Sequence, residues 1–280
     1  MIVSETVEWD VRHYVSHHHT RLTWQNKISI LYAIAGSLEI AKSFQDQFEK
    51  QSNSVKSHIE VFVNELGLGK EKELISVIGN YRYDLLSFIA PEILSGEDYN
   101  SKVDIYTFGM LMWEFSSNRP PFYNKSHNAK LILDICNGLR PKIRAYTPEC
   151  FRELMQKCWS ANAQDRPTIS EVVKTLSEWH DYGKNKDYFV IAESKRIERV
   201  LAKGLNPDSI GRMITPSKIH PQAIYTSRII KFPTLSVNNN VFNTQMTEMN
   251  INDFSNIFIQ DESFFSTDFN IKKRSFFPNN

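Results

Sequence analysis

The chain has 280 residues, 41% hydrophobic and 23% charged, enough for one large domain or two small ones. Lysine and arginine number 33 against 32 aspartate and glutamate, a formal net charge of +1, so no global field favours nucleic acid or an anionic membrane surface. The 3 cysteines form no CxxC pair, no apolar run approaches the roughly 20 residues of a membrane span, and Met1-Ile2-Val3-Ser4-Glu5 lacks the order of a signal peptide. The expectation is a reduced cytoplasmic or nuclear protein with no membrane segment.

Residues 1–22 form a lead-in short of core pattern, with His13, His17, His18 and His19 close together. Without a cysteine or carboxylate at ligand spacing, these histidines favour a solvated loop over a metal site. Thr23 is placed to cap a helix whose apolar residues Trp24, Ile28, Leu31, Ala35 and Leu38 recur three or four apart. That helix is expected to end near Lys42, and residues 42–58 read as polar and unpatterned. Ile59, Val61 and Val63 alternate as in a short strand, closed by a turn at Leu66-Gly67-Leu68-Gly69. A flexible segment is expected from there to about Ser87.

The run from Val103 to Phe115 is apolar nearly all round, which places a helix at the centre of a globular core. Residues 130–137 form a further helix, with Gly138 to close it and Pro141 beyond. Thr147-Pro148-Glu149 opens another, carried by Phe151, Leu154, Met155 and Cys158. Thr168 caps the last, with Glu171 at capping-box spacing and Ile169, Val172, Val173 and Leu176 on the buried face. The packed domain is expected to end near Trp179, at residue 182 at the latest. One amphipathic helix follows within 183–204, and from Leu205 asparagine, serine, threonine and proline dominate, as in a disordered tail.

One ordered series runs through this layout: Ser87-Phe88-Ile89-Ala90-Pro91-Glu92, Val103-Asp104-Ile105-Tyr106-Thr107-Phe108-Gly109 through Trp113-Glu114, Pro120-Pro121-Phe122, Cys158-Trp159 and Asp165-Arg166-Pro167. It resembles the lower lobe of the protein kinase superfamily, specifically tyrosine-kinase-like families expanded in some fungi. The string His220-Pro221-Gln222-Ala223-Ile224-Tyr225-Thr226-Ser227-Arg228 resembles one that follows the kinase domain in those families. The resemblance covers roughly residues 20 to 180, with a second patch near 220. It implies a mainly α fold over 23–182, a protein-kinase-like C-lobe built as a helical bundle with a small β-hairpin. The N-lobe is expected to be absent, since residues 1–22 leave it no room, and 205–280 to be a mostly disordered tail.

The resemblance also assigns roles. Glu92 and Arg166 should form a partly buried bidentate pair closing the base of the lobe, and Asp104 should anchor the catalytic loop. Phosphoryl transfer needs a Gly-rich loop over the phosphates, a strand lysine, a catalytic-loop aspartate, and an Asn and Asp on magnesium. No GxGxxG occurs in the chain. The place of His-Arg-Asp falls near Phe48-Glu49-Lys50 and the metal-binding Asn near Val55, with Asn53 two residues away. A charged lysine cannot accept a substrate proton, and valine cannot ligate magnesium. Glu65 in Glu65-Leu66-Gly67 stands for the metal-binding Asp and is a weak metal candidate, one methylene too long, with a solvated charge at a strand end as the plainer alternative. Asp84 stands where a glycine is expected and Ser87 where a proline is, and Tyr81, Tyr83 and Ser87 read as exposed hydroxyls that another kinase could phosphorylate. Such hydroxyls are common and no basic cluster accompanies them, so unmodified loop hydroxyls are the preferred reading.

The expectation is therefore a catalytically inactive pseudokinase that serves as a binding or scaffolding module in signalling. No cofactor and a protein partner are implied, with no nucleic acid and no membrane. The alternative is an active protein kinase whose N-lobe lies outside this chain, in which case ATP and magnesium are its cofactors.

Overall fold

The computed structural model describes residue 18 and residues 21–49, 81–84, 86–97, 99–180, 183–204, 219–225 and 228–231. The expected strand at 59–63, its turn at 66–69, and Lys50, Asn53, Val55 and Glu65 lie outside the described residues.

Helix α1 spans Trp24–Glu49. Its entry is a capping box: the Asn26 N–H donates to Thr23 Oγ1 at 3.1 Å while the Thr23 N–H donates to Asn26 Oδ1 at 3.2 Å. Trp24, Ile28, Leu31 and Ala35 form its buried face, as their spacing predicts. The helix runs past Lys42, where it was expected to stop. Residues 43–49 contain no glycine or proline, and glutamine, glutamate and phenylalanine all tolerate a helix, so nothing local breaks it. Phe48 and Glu49 consequently lie in its last turn and not in a loop.

Strand β1, Tyr81–Asp84, precedes a single 3-10 turn at Leu86–Phe88, and Pro91 opens the one-turn helix α2, Pro91–Leu94. Helix α3, Ser101–Ser117, is the central core helix, with Tyr106, Met110, Met112 and Phe115 fully buried. Its N-terminus is capped by Asn100, whose side chain accepts from the Lys102 N–H at 2.9 Å, so Asp104 sits inside the first turn and does not cap it. Helices α4, Ala129–Cys136, and α5, Glu149–Cys158, follow as expected, and α4 ends at Gly138 with φ of 94°. Helix α6, Ile169–His180, opens on the predicted box, the Thr168 N–H donating to Glu171 Oε2 at 2.7 Å.

Helices α3 and α5 meet at Gly109, where an added Cβ would lie 2.9 Å from Cys158 Cβ and 3.0 Å from the Trp159 nitrogen. Both obstacles are backbone or backbone-proximal, so neither can swing aside. Gly109→Ala is expected to cost about 1 to 3 kcal/mol, read as a lower urea midpoint. An unchanged midpoint would show that the two helices separate freely.

Helix α7, Lys186–Leu201, is the amphipathic helix expected after residue 182, but it belongs to the core. Phe189 and Ala192 join the main cluster, and Phe189 stands 5.5 Å from Trp179 while Trp24 stands 5.2 Å from Phe151. The packed unit therefore continues past Trp179 to Val200, which is itself buried. Two pieces of the expected tail are also ordered: residues 219–225 lie against the α3–α4 connection, and β2, Arg228–Lys231, pairs antiparallel with β1. Among the described residues this pair, between strands remote in sequence, is the sheet.

Candidate functional site

The base of the lobe is organised by Arg166, which is 2% exposed. Its Nη2 and Nη1 donate to Glu92 Oε2 and Oε1 at 2.8 and 2.5 Å, a fork-on-carboxylate geometry. The same guanidinium donates from Nε to the Ser160 carbonyl and from Nη1 to the Lys102 carbonyl, each at 2.9 Å. Lys102 answers by donating its ammonium to the Arg166 carbonyl at 2.6 Å. One side chain thus ties α2, the start of α3 and the turn before α6 into one piece. Tyr106 lies beneath, its ring centroid 5.2 Å from the Arg166 guanidinium, and burial pushes its phenol up to about 12 against the pull of Arg140 and Arg166.

Asp104 Oδ1 accepts a hydrogen bond from the Tyr99 hydroxyl. Burial raises its pKa, with the Tyr99 hydrogen bond and the Lys42 charge opposing. It lines a cavity of about 30 Å³ with Leu38, Lys42, Lys102 and Ile105. That is room for one water, far below the roughly 300 Å³ at which small-molecule pockets begin. A wider open groove of about 680 Å³ beside Arg166 carries Lys102, Lys157 and Lys174 together with Asp165, Glu171 and Glu178. Charges of both signs line it, so it presents no single-sign field. Among the described residues no group of three or more histidine, cysteine, aspartate or glutamate side chains that could hold a metal ion occurs.

Ser87 is 1% exposed, so the expected surface hydroxyl is a buried one; its Oγ has no hydrogen-bond partner among the described residues. No thiol is poised for chemistry. Burial raises Cys158 to about 12 and Cys136 and Cys150 to about 11, keeping all three protonated near neutrality.

Sequence reasoning missed Lys27, which is 2% exposed on the buried face of α1, three residues after Trp24 and four before Leu31. That spacing was the available signal. Its ammonium lies 4.8 Å from the Trp24 ring centroid, beside α7. Burial lowers its pKa to about 7; Arg196 and Arg199 push the same way and Glu193 opposes. Glu193 also accepts from the Trp24 N–H at 3.0 Å and from Arg196 Nη2 at 2.7 Å, pinning α7 to the positive end of the α1 dipole.

Residues 55–176 match the family described as protein tyrosine and serine/threonine kinase. The chain is 33% identical over 164 residues, 57% of its length, to "Putative serine/threonine-protein kinase/receptor R826" of Acanthamoeba polyphaga mimivirus, covering 10% of that relative. It is 38% identical over 92 residues, 32% of its length, to the dual specificity protein kinase shkD of Dictyostelium discoideum, covering 12% of it. It is 30% identical over 102 residues, 36% of its length, to mitogen-activated protein kinase kinase kinase 7 of Bos taurus, covering 18% of it. The chain thus spans between 10% and 18% of the length of these relatives.

Proposed function

Because residues 55–176 belong to the protein kinase superfamily and make up part of its domain, we propose that this chain is a kinase-like lobe without phosphoryl-transfer activity, serving as a binding or scaffolding module for a protein partner. The observation that carries this reading is the course of α1, which is helical through Phe48 and Glu49, where the resemblance puts the catalytic loop. A helix closes its backbone groups on themselves and turns successive side chains away from one another, whereas transfer needs an aspartate and an asparagine converging on one phosphate. The residue after the helix is Lys50, a cation where a proton acceptor is required. What the lobe keeps is scaffold, above all Glu92 with Arg166.

The alternative, an active kinase whose upper lobe and nucleotide site lie outside this chain, is favoured by the intact Arg166 junction and by the kinase names of the relatives.

Two measurements separate the readings. One is the sequence encoded upstream of Met1, where an in-frame Gly-rich loop and strand lysine would favour the active one. The other is thermal unfolding with and without Mg-ATP, which tests whether this chain holds a nucleotide by itself. A ligand that binds the folded state alone at a hundredfold its Kd adds about 2.7 kcal/mol, a shift of several degrees in Tm. The expected result is no shift. A magnesium-dependent rise at sub-millimolar ATP would overturn the proposal and favour the active reading.

A further inference from the structure

Strands β1 and β2 make a two-stranded antiparallel sheet, with Tyr81 opposite Lys231, Arg82 opposite Ile230, Tyr83 opposite Ile229 and Asp84 opposite Arg228. A lone pair of strands this short is marginal in water and needs support from elsewhere. On the β1 side, support comes from Leu86, Ser87 and Phe88, all buried, which fix the chain directly after the strand to the core. On the β2 side it comes from residues 219–225, two residues upstream.

That upstream segment is specifically docked. The His220 N–H donates to the Tyr123 carbonyl at 2.8 Å, the His127 N–H to the Gln222 carbonyl at 3.0 Å, and Ser126 Oγ to Gln222 Oε1 at 2.8 Å. The Tyr225 hydroxyl donates to the Pro121 carbonyl at 2.8 Å, and its ring meets His127 edge-on at 4.9 Å. His127 is 2% exposed, so the segment closes over a buried side chain. Main-chain bonds fix its path, and the Gln222 and Tyr225 side chains fix its register. A strand joined to such an anchor by only Thr226 and Ser227 faces β1 at an effective concentration on the order of millimolar.

We infer that the β1 edge is a docking edge for an extended peptide, held in this chain by its own strap of residues 219–231, and that a partner segment with the same pattern gains the edge only when the strap is released. The pattern is two aliphatic residues between two cations, Arg228-Ile229-Ile230-Lys231, and it meets an acidic residue, Asp84, opposite its first cation. Addition of a strand to a free edge draws affinity from main-chain bonds and selectivity from the residues opposite, which suits a site presented rigidly and covered reversibly. The inference holds whether or not the lobe transfers phosphate, since neither strand carries a group it assigns to chemistry.

The test uses the full chain carrying Ile229→Pro and Ile230→Pro together. Alternate residues of a strand direct their N–H groups at the partner, so of two consecutive prolines one must delete a ladder bond. The probe is a fluorescent peptide of residues 226–233, followed by anisotropy, with amide exchange at residues 81–84 as the second readout. The expected result is at least tenfold tighter binding to the variant than to the wild type. Exchange at 81–84 should also be at least tenfold faster in the variant, and slow again when the peptide is added. A second variant, Tyr225→Ala, loosens the anchor without touching either strand and should shift both readouts in the same direction. Equal binding to wild type and variant, binding to neither, or exchange at 81–84 unchanged in either variant would overturn the inference.

Discussion

Arg166→Ala is expected to destabilise the domain by about 3 to 5 kcal/mol, because it strands the Glu92 carboxylate inside the fold. Against a total stability of about 5 to 15 kcal/mol for an ordinary domain, that loss takes much of what holds the lobe together. The cost has two separable parts. One is the unpaired charge of Glu92, which is 8% exposed and cannot recover its hydration. The other is the loss of donors to the Ser160 and Lys102 carbonyls. The double variant Glu92→Met with Arg166→Met removes the first part and leaves the second, so it should lose less than Arg166→Ala alone. Urea unfolding of both variants reads the difference as midpoints at constant slope. An Arg166→Ala protein within about 1 kcal/mol of the wild type would show that the junction is not closed in solution.

Lys27→Met is expected to act in the opposite direction and stabilise the domain by about 1 to 4 kcal/mol at pH 7, because methionine fills a similar volume without a charge to desolvate. The pH dependence gives the sharper signature. The ammonium has its ordinary value of 10.5 in the unfolded chain and about 7 in the folded one, so between those limits the unfolded state holds more protons. Stability therefore rises with pH across that window, and the cost of burying Lys27 is fully present below it. From pH 7 to about 8.5 the wild type should recover about 1 to 2 kcal/mol relative to the variant. The comparison has to be a difference, because the buried thiols work the other way. Cys136, Cys150 and Cys158 ionise later in the fold than the ordinary 9.0, so their contribution falls as pH rises through that value. Tyr106 does the same above 10.0. Parallel pH profiles for wild type and variant would show that Lys27 reaches water and that α7 is not seated on α1.

The helices were legible where their signals are local. Thr168 with Glu171, the apolar run around Tyr106, and the spacing of Trp24, Ile28, Leu31 and Ala35 each fix an element from residues a few positions apart. The Glu92–Arg166 pair, 74 positions apart, was not readable that way; any acid and base in the chain could have met, and only the resemblance selected these two. The end of α1 was misplaced because glutamine and glutamate are surface residues that are also good helix formers, so loss of apolar period at Lys42 was not loss of helix. Docking of α7 was missed because its buried face is narrow, and Arg196, a buried cation held by Glu193, interrupts the apolar stripe. Asn100 caps α3 because a capping side chain must sit just outside the first helical residue. The strap depended on partners across the whole chain, so only the His220-to-Arg228 string hinted that this stretch differed from its surroundings.

Helix α1 packs chiefly against α6 and also takes contacts from α7 and α3, so the earliest described helix finds most of its partners in residues 169–201. Loop closure of that span must precede the contacts that reward it, which raises contact order well above that of a bundle whose neighbours are consecutive. On a growing chain, Trp24, Ile28 and Leu31 would stay without most of their native cover until α6 has been made. The domain is therefore committed to folding late and as a unit, and its most aggregation-prone interval is the one in which α1 waits.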